Sequence, residues 1–350
     1  MTMELTAAGA AARNIWRRVL PSDPNALVSQ TPEWMDCVCA SGHYEDATRA
    51  YGNANGRQVV LPLARRRNLP AAAGVVGSMP FGWGTGGLIC PGGRLSSEDV
   101  AAVVADLSRQ PALLVGVRPS PAAEGAWATA VPEDVVRIRQ MTQSVDLSGG
   151  FDGVWKHGFA TTVRSYCRKA ERKGVTVERD DTGRLMEVFD ALYRRSVVRW
   201  ARQQHEPLWL AQWRAQRRDP RHKFQTVAER LGPACQVWVA WLAGAPIAAM
   251  VVLTQGEHST RWRAAMDKEA AKGTGANELL HRFAIEDACR SGQRFFHMGE
   301  SAPSSALARN KQGFGATEAY YTGYRFERLP LTAADQFLRR RVKRVIGFRD

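Results

Sequence analysis

The sequence predicts an α/β protein of two domains, each a mixed, mostly antiparallel sheet flanked by helices. Three observations carry this expectation. The chain has 350 residues, about two domains' worth at roughly 100–200 residues each. Strand-length runs rich in Val, Ile and Trp alternate with amphipathic stretches of helical period, and turn residues separate them. The charge is also unevenly divided. There are 48 Lys and Arg against 34 Asp and Glu, a formal +14. Residues 1–150 hold 13 basic and 13 acidic residues, whereas 151–350 hold 35 and 21. Gly149-Gly150 marks the boundary between a domain over 1–150 and one over 151–330, with a basic tail over 331–350.

In the first part, a short helix or strand leads to Thr31, which caps a helix with Pro32 at its first position. Residues 56–63 read as a turn and a strand. The glycine-rich stretch 77–93 is a loop holding a buried aromatic or two. Ser96 or Ser97 opens a helix to about Ser108. Residues 113–117 form a strand, 119–124 a loop and 135–146 another strand.

The second part begins with a basic helical region over 151–173, stopped by Gly174, and a strand over 175–178. Residues 184–202 form an amphipathic helix, with Leu185, Val188, Phe189, Leu192 and Tyr193 on one face. A further helix covers 207–217. Residues 231–256 contain no Asp, Glu, Lys or Arg and are long enough to raise the question of a membrane span. Gly244, Ala245 and Pro246 interrupt that stretch, so it reads as two buried strands around a tight turn. A strand over 260–265, a helix over 276–291, strands over 295–298 and 319–326, and a basic amphipathic helix over 332–348 complete the order. Each half reads as a version of one α/β unit.

The composition excludes several classes. Apolar residues at 45% and charged residues at 23% are those of a globular protein rather than a disordered or collagenous one. Six cysteines in 350 residues are too sparse for a disulfide scaffold and lack metal-pair spacing, so they read as reduced thiols. The N-terminus lacks a basic segment followed by a long apolar one, so no signal peptide is expected and the reading is cytoplasmic. There is no P-loop, zinc pattern, His-Glu-x-x-His, nucleophile elbow or dinucleotide fingerprint. No metal and no cofactor is expected. The basic second part points to a polyanionic partner, RNA or an anionic membrane surface, set against the alternative of an arginine-rich solvated surface.

A resemblance appears in the second part. Residues 277–292 form a helical segment followed by Phe295-Phe-His-Met-Gly-Glu-Ser301, then Leu307-Ala-Arg-Asn-Lys-Gln-Gly-Phe-Gly-Ala316 and a last aromatic strand. These resemble the C-terminal half of the FemABX-type aminoacyltransferases, which are tandem GNAT-fold (acetyltransferase-like) proteins. The basic run 162–177 resembles the opening of that family's second domain. Gln30 to Trp34 and Ser78-Met-Pro with Gly86-Gly87 resemble its first. The resemblance spans about 15–328 and implies two GNAT-like domains without a coiled-coil arm. It implies an acyltransferase, moving an aminoacyl group from aminoacyl-tRNA to an amine or hydroxyl of a small-molecule or peptidoglycan-precursor-like acceptor. The protein is read as a monomer. Two alternatives stay open: an acyl-CoA-dependent N-acyltransferase using acetyl-CoA, and a noncatalytic RNA- or membrane-surface-binding protein.

The resemblance also marks residues. Lys311 corresponds to a family lysine that handles the acceptor end of aminoacyl-tRNA and the developing oxyanion, with Asn310 where the family has Phe. Glu300, at a strand end, is placed to deprotonate or hold the acceptor amine. Arg199 resembles an arginine that contacts phosphates of a nucleotide-linked acceptor, a task that suits the guanidinium fork. Trp34, Ser301 and Tyr321, inside the matching segments, join it as candidate substrate contacts. Arg164, Arg168 and Lys169 form a basic helix for RNA or a solvated face. Lys272, Gly273, Gly275, Ala276 and Asn277 precede a helix whose N-terminus is either an anion cradle or an ordinary turn. The tryptophans at 200, 209 and 213 stack on a base or pack in the core.

Overall fold

The computed structural model describes residues 3–346 and divides into two compact units, Met1–Met141 with Ala319–Asp335, and Thr142–Glu318 with Gln336–Asp350. The expected domain ends at 150 and 330 thus fall elsewhere. The reason is strand pairing: the last strand crosses back to pair with a strand of the first unit. The charge asymmetry persists, with 15 basic and 14 acidic residues in the first unit and 33 and 20 in the second.

The first unit contains β1 (Glu4–Ala8), α1 (Arg13–Val19), α2 (Pro32–Ala40), β2 (Tyr44–Asp46), β3 (Arg49–Gly52), β4 (Gln58–Leu61), β5 (Ala64–Arg66), β6 (Val75–Gly77), α3 (Ser97–Arg109), β7 (Leu114–Val117) and α4 (Glu124–Ala130). β1, β3 and β4 form a small antiparallel sheet. In the other sheet β2 pairs β5 and β5 pairs β6, both antiparallel, and β6 runs parallel to β7. The sequence explains the helix starts. Thr31 Oγ1 accepts from Trp34 N at 3.1 Å with Pro32 at the first position. Ser96 and Asp99 close a reciprocal capping box at 3.1 and 3.3 Å, worth about 1 kcal/mol. Val100, Val103, Val104 and Leu107 then face Val115 and Val117 in one core cluster. In the glycine-rich loop, a Cβ on Gly86 would lie 2.6 Å from Ser78, so only glycine fits. Trp83 is buried there and Phe81 is exposed. α4, part of it expected as loop, and the short strands β2, β5 and β6 carry too little periodicity to be read in advance.

β8 (Val136–Asp146) leads into the second unit. There follow α5 (Gly150–Gly153), a π-helical turn (Val154–Gly158), α6 (Thr161–Arg172), β9 (Thr176–Asp180), α7 (Met186–Gln203), α8 (Leu208–Arg218), α9 (Arg221–Leu231), β10 (Cys235–Leu242), β11 (Ala245–Gln255), β12 (His258–Met266), α10 (Ala276–Arg290), β13 (Phe295–Glu300), α11 (Ala306–Gln312), β14 (Thr317–Glu327) and α12 (Leu331–Ile346). β14 is the strand that returns, pairing antiparallel with β7 from Tyr324↔Val117 to Glu327↔Leu114.

In the second unit β9–β10, β10–β11 and β11–β12 pair antiparallel, β12–β13 parallel and β13–β8 antiparallel. The apolar stretch is the expected hairpin. Ala243 and Gly244 both have positive φ, 50° and 75°, which gives a two-residue turn matched to the strand twist. Among the described residues no helix is long and apolar enough to cross a membrane. The helical region expected over 151–173 is divided into α5, a π-helical turn and α6. Phe159 is extended (ψ 126°) and sends its ring into the core against Phe314, centroids 5.4 Å apart. α9 and α11 were not expected; α9 restarts after Pro220, which cannot continue α8. All six cysteines are free, four of them buried.

Candidate active site

β12 and β13 share a short ladder: His258↔Phe295, Ser259↔Phe296 and Thr260↔His297. Beyond it, β12 stays with β11 as far as Met266 and β13 stays with β8 as far as Glu300. The two parallel strands therefore part. The backbone groups freed by parting need partners, and Arg261 supplies one. Its Nη2 donates to Met298 O at 2.8 Å and its Nη1 donates to His281 Nε2 at 2.9 Å. A guanidinium only donates, so Nε2 accepts and the imidazole is the Nδ1–H tautomer. Nδ1 donates to Asn277 O one turn earlier in α10, at 2.8 Å. Burial, aided by the charges of Arg261 and Lys311, pushes His281 down to about 3. Burial likewise lowers Arg261, to about 10.

Lys311 completes this centre. Ser305 caps α11 by accepting from Ala308 N at 3.1 Å. Gly299, at φ +75°, lets the end of β13 bend away from the regular ladder. Lys311 Nζ then donates to Gly299 O at 2.7 Å, Glu300 O at 2.9 Å and Ser301 Oγ at 3.3 Å. Ser301 Oγ donates onward to Gln143 Oε1 at 2.7 Å, and Gln143 Nε2 donates to Ala308 O at 3.1 Å. Lys311 and Gln143 are both 0% exposed. Burial and then the Arg261 charge push Lys311 down to about 7, against the opposing pull of Glu300. All three ammonium N–H groups are spent on these contacts. Any effect of Lys311 on a neighbouring group is therefore electrostatic, as expected from the sequence. Among the described residues, neither Arg261 nor Lys311 forms an ion pair with a carboxylate.

The other expected residues fall into three places. Glu300 and Ser301 lie at this centre, Glu300 exposed. Arg199 sits at the end of β12, where its Nη1 donates to Met266 O at 2.7 Å and its guanidinium lies over Trp200. Ser196, three residues earlier in α7, donates to the same carbonyl and accepts from Met266 N, at 3.1 and 3.0 Å. Trp34 and Tyr321 belong to the first unit and are about 1% exposed. Trp34 Nε1 donates to Trp83 O, and Tyr321 OH accepts from Arg118 Nη2. Full burial makes both packing residues of that unit, not the substrate contacts expected.

α6 and the loop before α10 meet. Arg168, Arg172, Lys173 and Lys272 are exposed, and Lys169 Nζ lies 4.0 Å from the position a Cβ on Gly273 would take. These form a basic patch with the exposed ring of Tyr166, over which Lys169 rests. Arg164 is not part of it. Its guanidinium donates to Trp155 O and Lys156 O and closes the π-helical turn. The loop is not an open cradle either. A Cβ on Gly275 would lie 2.2 Å from Tyr166 O, and Gly275 has φ +83°. Ala276 N already donates to Thr274 Oγ1 at 3.1 Å, and Thr274, Gly275 and Ala276 are buried. Gly275 serves close helix packing. Asn277 spends its carbonyl on His281.

A second charged centre lies on the α7–α9 side. Asp219 is 0% exposed and accepts from Tyr193 OH (2.7 Å), Lys223 Nζ (2.8 Å), Arg218 Nε (2.9 Å) and Arg263 Nη2 (2.9 Å). Burial opposes its ionisation, yet Arg263, Lys223 and Arg218 hold it well below the carboxylate range. Nearby, Trp200, Glu206, Arg214 and Arg218 line a cavity of about 410 Å³. Of the three tryptophans, Trp200 lines that cavity, while Trp209 and Trp213 are 71% and 53% exposed.

Arg261, His281, Gln143 and Asp219 were missed in the sequence. The available signal was a polar residue at a position whose period faces the core: His281 on the buried stripe of α10, Gln143 on β8. Periodicity flags such a residue but does not say what it touches.

Residues 158–305 match the family model described as an acetyltransferase (GNAT) domain. The fold is similar to that of FemX, at 11% identity over 96% of this chain and 99% of that one, with a TM-score of 0.63. It is similar to a conserved protein of unknown function from Bacteroides thetaiotaomicron, at 9% identity over 93% and 99%, TM-score 0.56. It is also similar to a tandem GNAT protein from the clavulanic acid biosynthesis pathway, at 13% identity over 94% and 99%, TM-score 0.52. At such identities the likeness concerns the fold. No curated protein sequence matches the chain.

Proposed function

From an acyltransferase of the GNAT fold, with its acetyltransferase domain over residues 158–305 and a FemX-like architecture, we propose a reaction that moves an aminoacyl group from aminoacyl-tRNA to an amine. The observation that carries this reading is the pair of buried cations Arg261 and Lys311, neither of which forms an ion pair with a carboxylate. An aminoacyl ester is already activated. Its aminolysis needs positioning and stabilisation of the oxyanion more than a nucleophile. The acceptor nitrogen attacks the ester carbonyl, the carbon–oxygen bond to the tRNA ribose breaks, and the proton lost by nitrogen goes to the leaving ribose oxygen. Arg261 offers its remaining N–H donors to the oxyanion, and Lys311 adds positive charge in a site of low dielectric. Glu300, exposed at the strand end, holds the acceptor amine. Arg199 takes a phosphate of the acceptor with the donors left after Met266.

The basic patch of Arg168, Lys169, Arg172, Lys173 and Lys272 supports a path for tRNA. The closed loop at Gly275 weighs against the acetyl-CoA reading, since a pyrophosphate needs open amides at the helix start. The parted strands and the match of residues 158–305 to a family model described as an acetyltransferase (GNAT) domain favour it.

The test is binding of a charged tRNA pool and of acetyl-CoA, each at two salt concentrations. Salt-sensitive tRNA binding that depends on charging, without coenzyme A binding, is expected. Tight acetyl-CoA binding with only weak RNA binding would replace this reading with the acyl-CoA one. Reversing charge at Arg168 and Lys169 (both to Glu) should weaken tRNA binding and reduce its salt slope by about two contacts. An unchanged slope would return that helix to a solvated surface.

A further inference from the structure

α12 is fastened at its first turn and exposed beyond it. Thr332 N donates to Glu327 Oε2 at 3.0 Å, Thr332 Oγ1 donates to Glu327 Oε1, and Arg325 Nη1 donates to Thr332 Oγ1 at 2.8 Å. From Ala333 through Val345 every residue is exposed. A helix normally exposes its polar side and buries its apolar one. Here the apolar side is exposed as well. Leu338, Val342 and Val345 recur at i, i+4 and i+7, a single stripe along the helix, and are 62%, 42% and 85% exposed. Arg339, Arg340, Arg341, Lys343 and Arg344 occupy the flanks and the opposite side, with Asp335 the one acid in the helix. Phe337, 59% exposed, lies under the Arg341 guanidinium at 4.9 Å.

We propose that α12 is a docking element for an anionic membrane surface, lying in the interface with Leu338, Val342 and Val345 inserted among the acyl chains and its five cations at the headgroup phosphates. The argument is charge complementarity combined with the stripe. A nucleic acid would use the cations but would leave the three aliphatic side chains in water. A lipid surface takes both, and a helix with an apolar stripe, a strongly cationic face and no spanning length is suited to lying in the interface. Anchoring at Thr332 lets this contact hold the enzyme at the surface.

The experiment is co-sedimentation of the full chain with vesicles, either phosphatidylcholine alone or phosphatidylcholine with 30% phosphatidylglycerol. Two variants are compared, Leu338→Glu/Val342→Glu and Arg340→Glu/Arg344→Glu, each checked for folding by its melting curve. Expected is binding to the anionic vesicles only, weakened by salt, and reduced at least tenfold in both variants. Three results would overturn the proposal. They are no binding to either vesicle, equal binding to both, or binding that the Leu338/Val342 variant leaves unchanged. If instead that variant abolishes a self-association seen by sedimentation, while vesicles are ignored, the occupant of the stripe is a second copy. If the chain binds RNA through α12 and not vesicles, the cations alone matter and the proposal fails. tRNA binding through α6 is measured in the same variants, so failure here is separable from failure of the tRNA reading.

Discussion

Two buried charged centres lie within one unit and are built on opposite principles. At Asp219, a single carboxylate gathers Arg218, Lys223, Arg263 and the Tyr193 hydroxyl. At Arg261 and Lys311, two cations share neutral partners only: a histidine, three strand carbonyls and a serine. The first centre is organised around its one carboxylate, which pairs directly with three cations, and it ties α7, α8, α9 and β12 together. The second holds its cations without an ion pair, with only the pull of Glu300 on Lys311, between strands that have already parted. Burying an uncompensated charge costs stability. In the proposed reaction, that cost is offset when the oxyanion of the transferred acyl group arrives.

The largest expected effect breaks the Asp219 centre. Asp219→Ala leaves three cations facing one another in the core and should cost about 3–5 kcal/mol, measured by urea unfolding. A loss below about 1 kcal/mol would mean that the cations find other partners, and the contrast between the two centres would disappear.

The next effect is on turnover. Lys311→Met removes a charge but keeps an unbranched side chain. Relief of the buried ammonium offsets part of the lost hydrogen bonds, so stability should change by no more than about 2 kcal/mol. Turnover should fall at least tenfold, about 1.4 kcal/mol of transition-state stabilisation, with tRNA affinity nearly intact. Equal turnover in wild type and variant would remove Lys311 from the mechanism.

A third effect is a pH slope. Lys311 in the folded chain is lowered to about 7 from 10.5. Between those values the unfolded chain carries a proton that the folded one lacks, so stability rises with pH across this window. Lys311→Met should abolish that part of the slope. If both proteins show the same slope from pH 7 to 10, Lys311 keeps its proton in the folded state.

Much of the second unit was legible in advance. The hairpin at Gly244, the stripe of α7 and the start of α10 at Ala276 follow from local period and turn chemistry, which act over a few residues. The catalytic candidates Lys311 and Glu300 and the candidate substrate contact Ser301 meet at one place. Trp34 and Tyr321, also candidate substrate contacts, lie in the core of the first unit, because an aromatic residue in a matching segment is as often packing as contact. Arg164 read as part of a basic face, yet its guanidinium closes a π-helical turn that no periodicity announces. Gly275 read equally well as an anion cradle or a turn. The backbone of α6, some 110 residues earlier, is what requires it.

The sequence by itself determined the class of fold, the order of elements over most of the chain, and the concentration of positive charge in one part. These are sums of local preferences and of composition. Only the tertiary structure decided that β14 returns to β7, that β12 and β13 part after three pairs, and that Arg261, His281 and Lys311 share one buried centre. Each of these depends on which distant backbone group or charge comes within a few ångströms. Such proximity follows from the whole chain packing at once, and no window of sequence contains it.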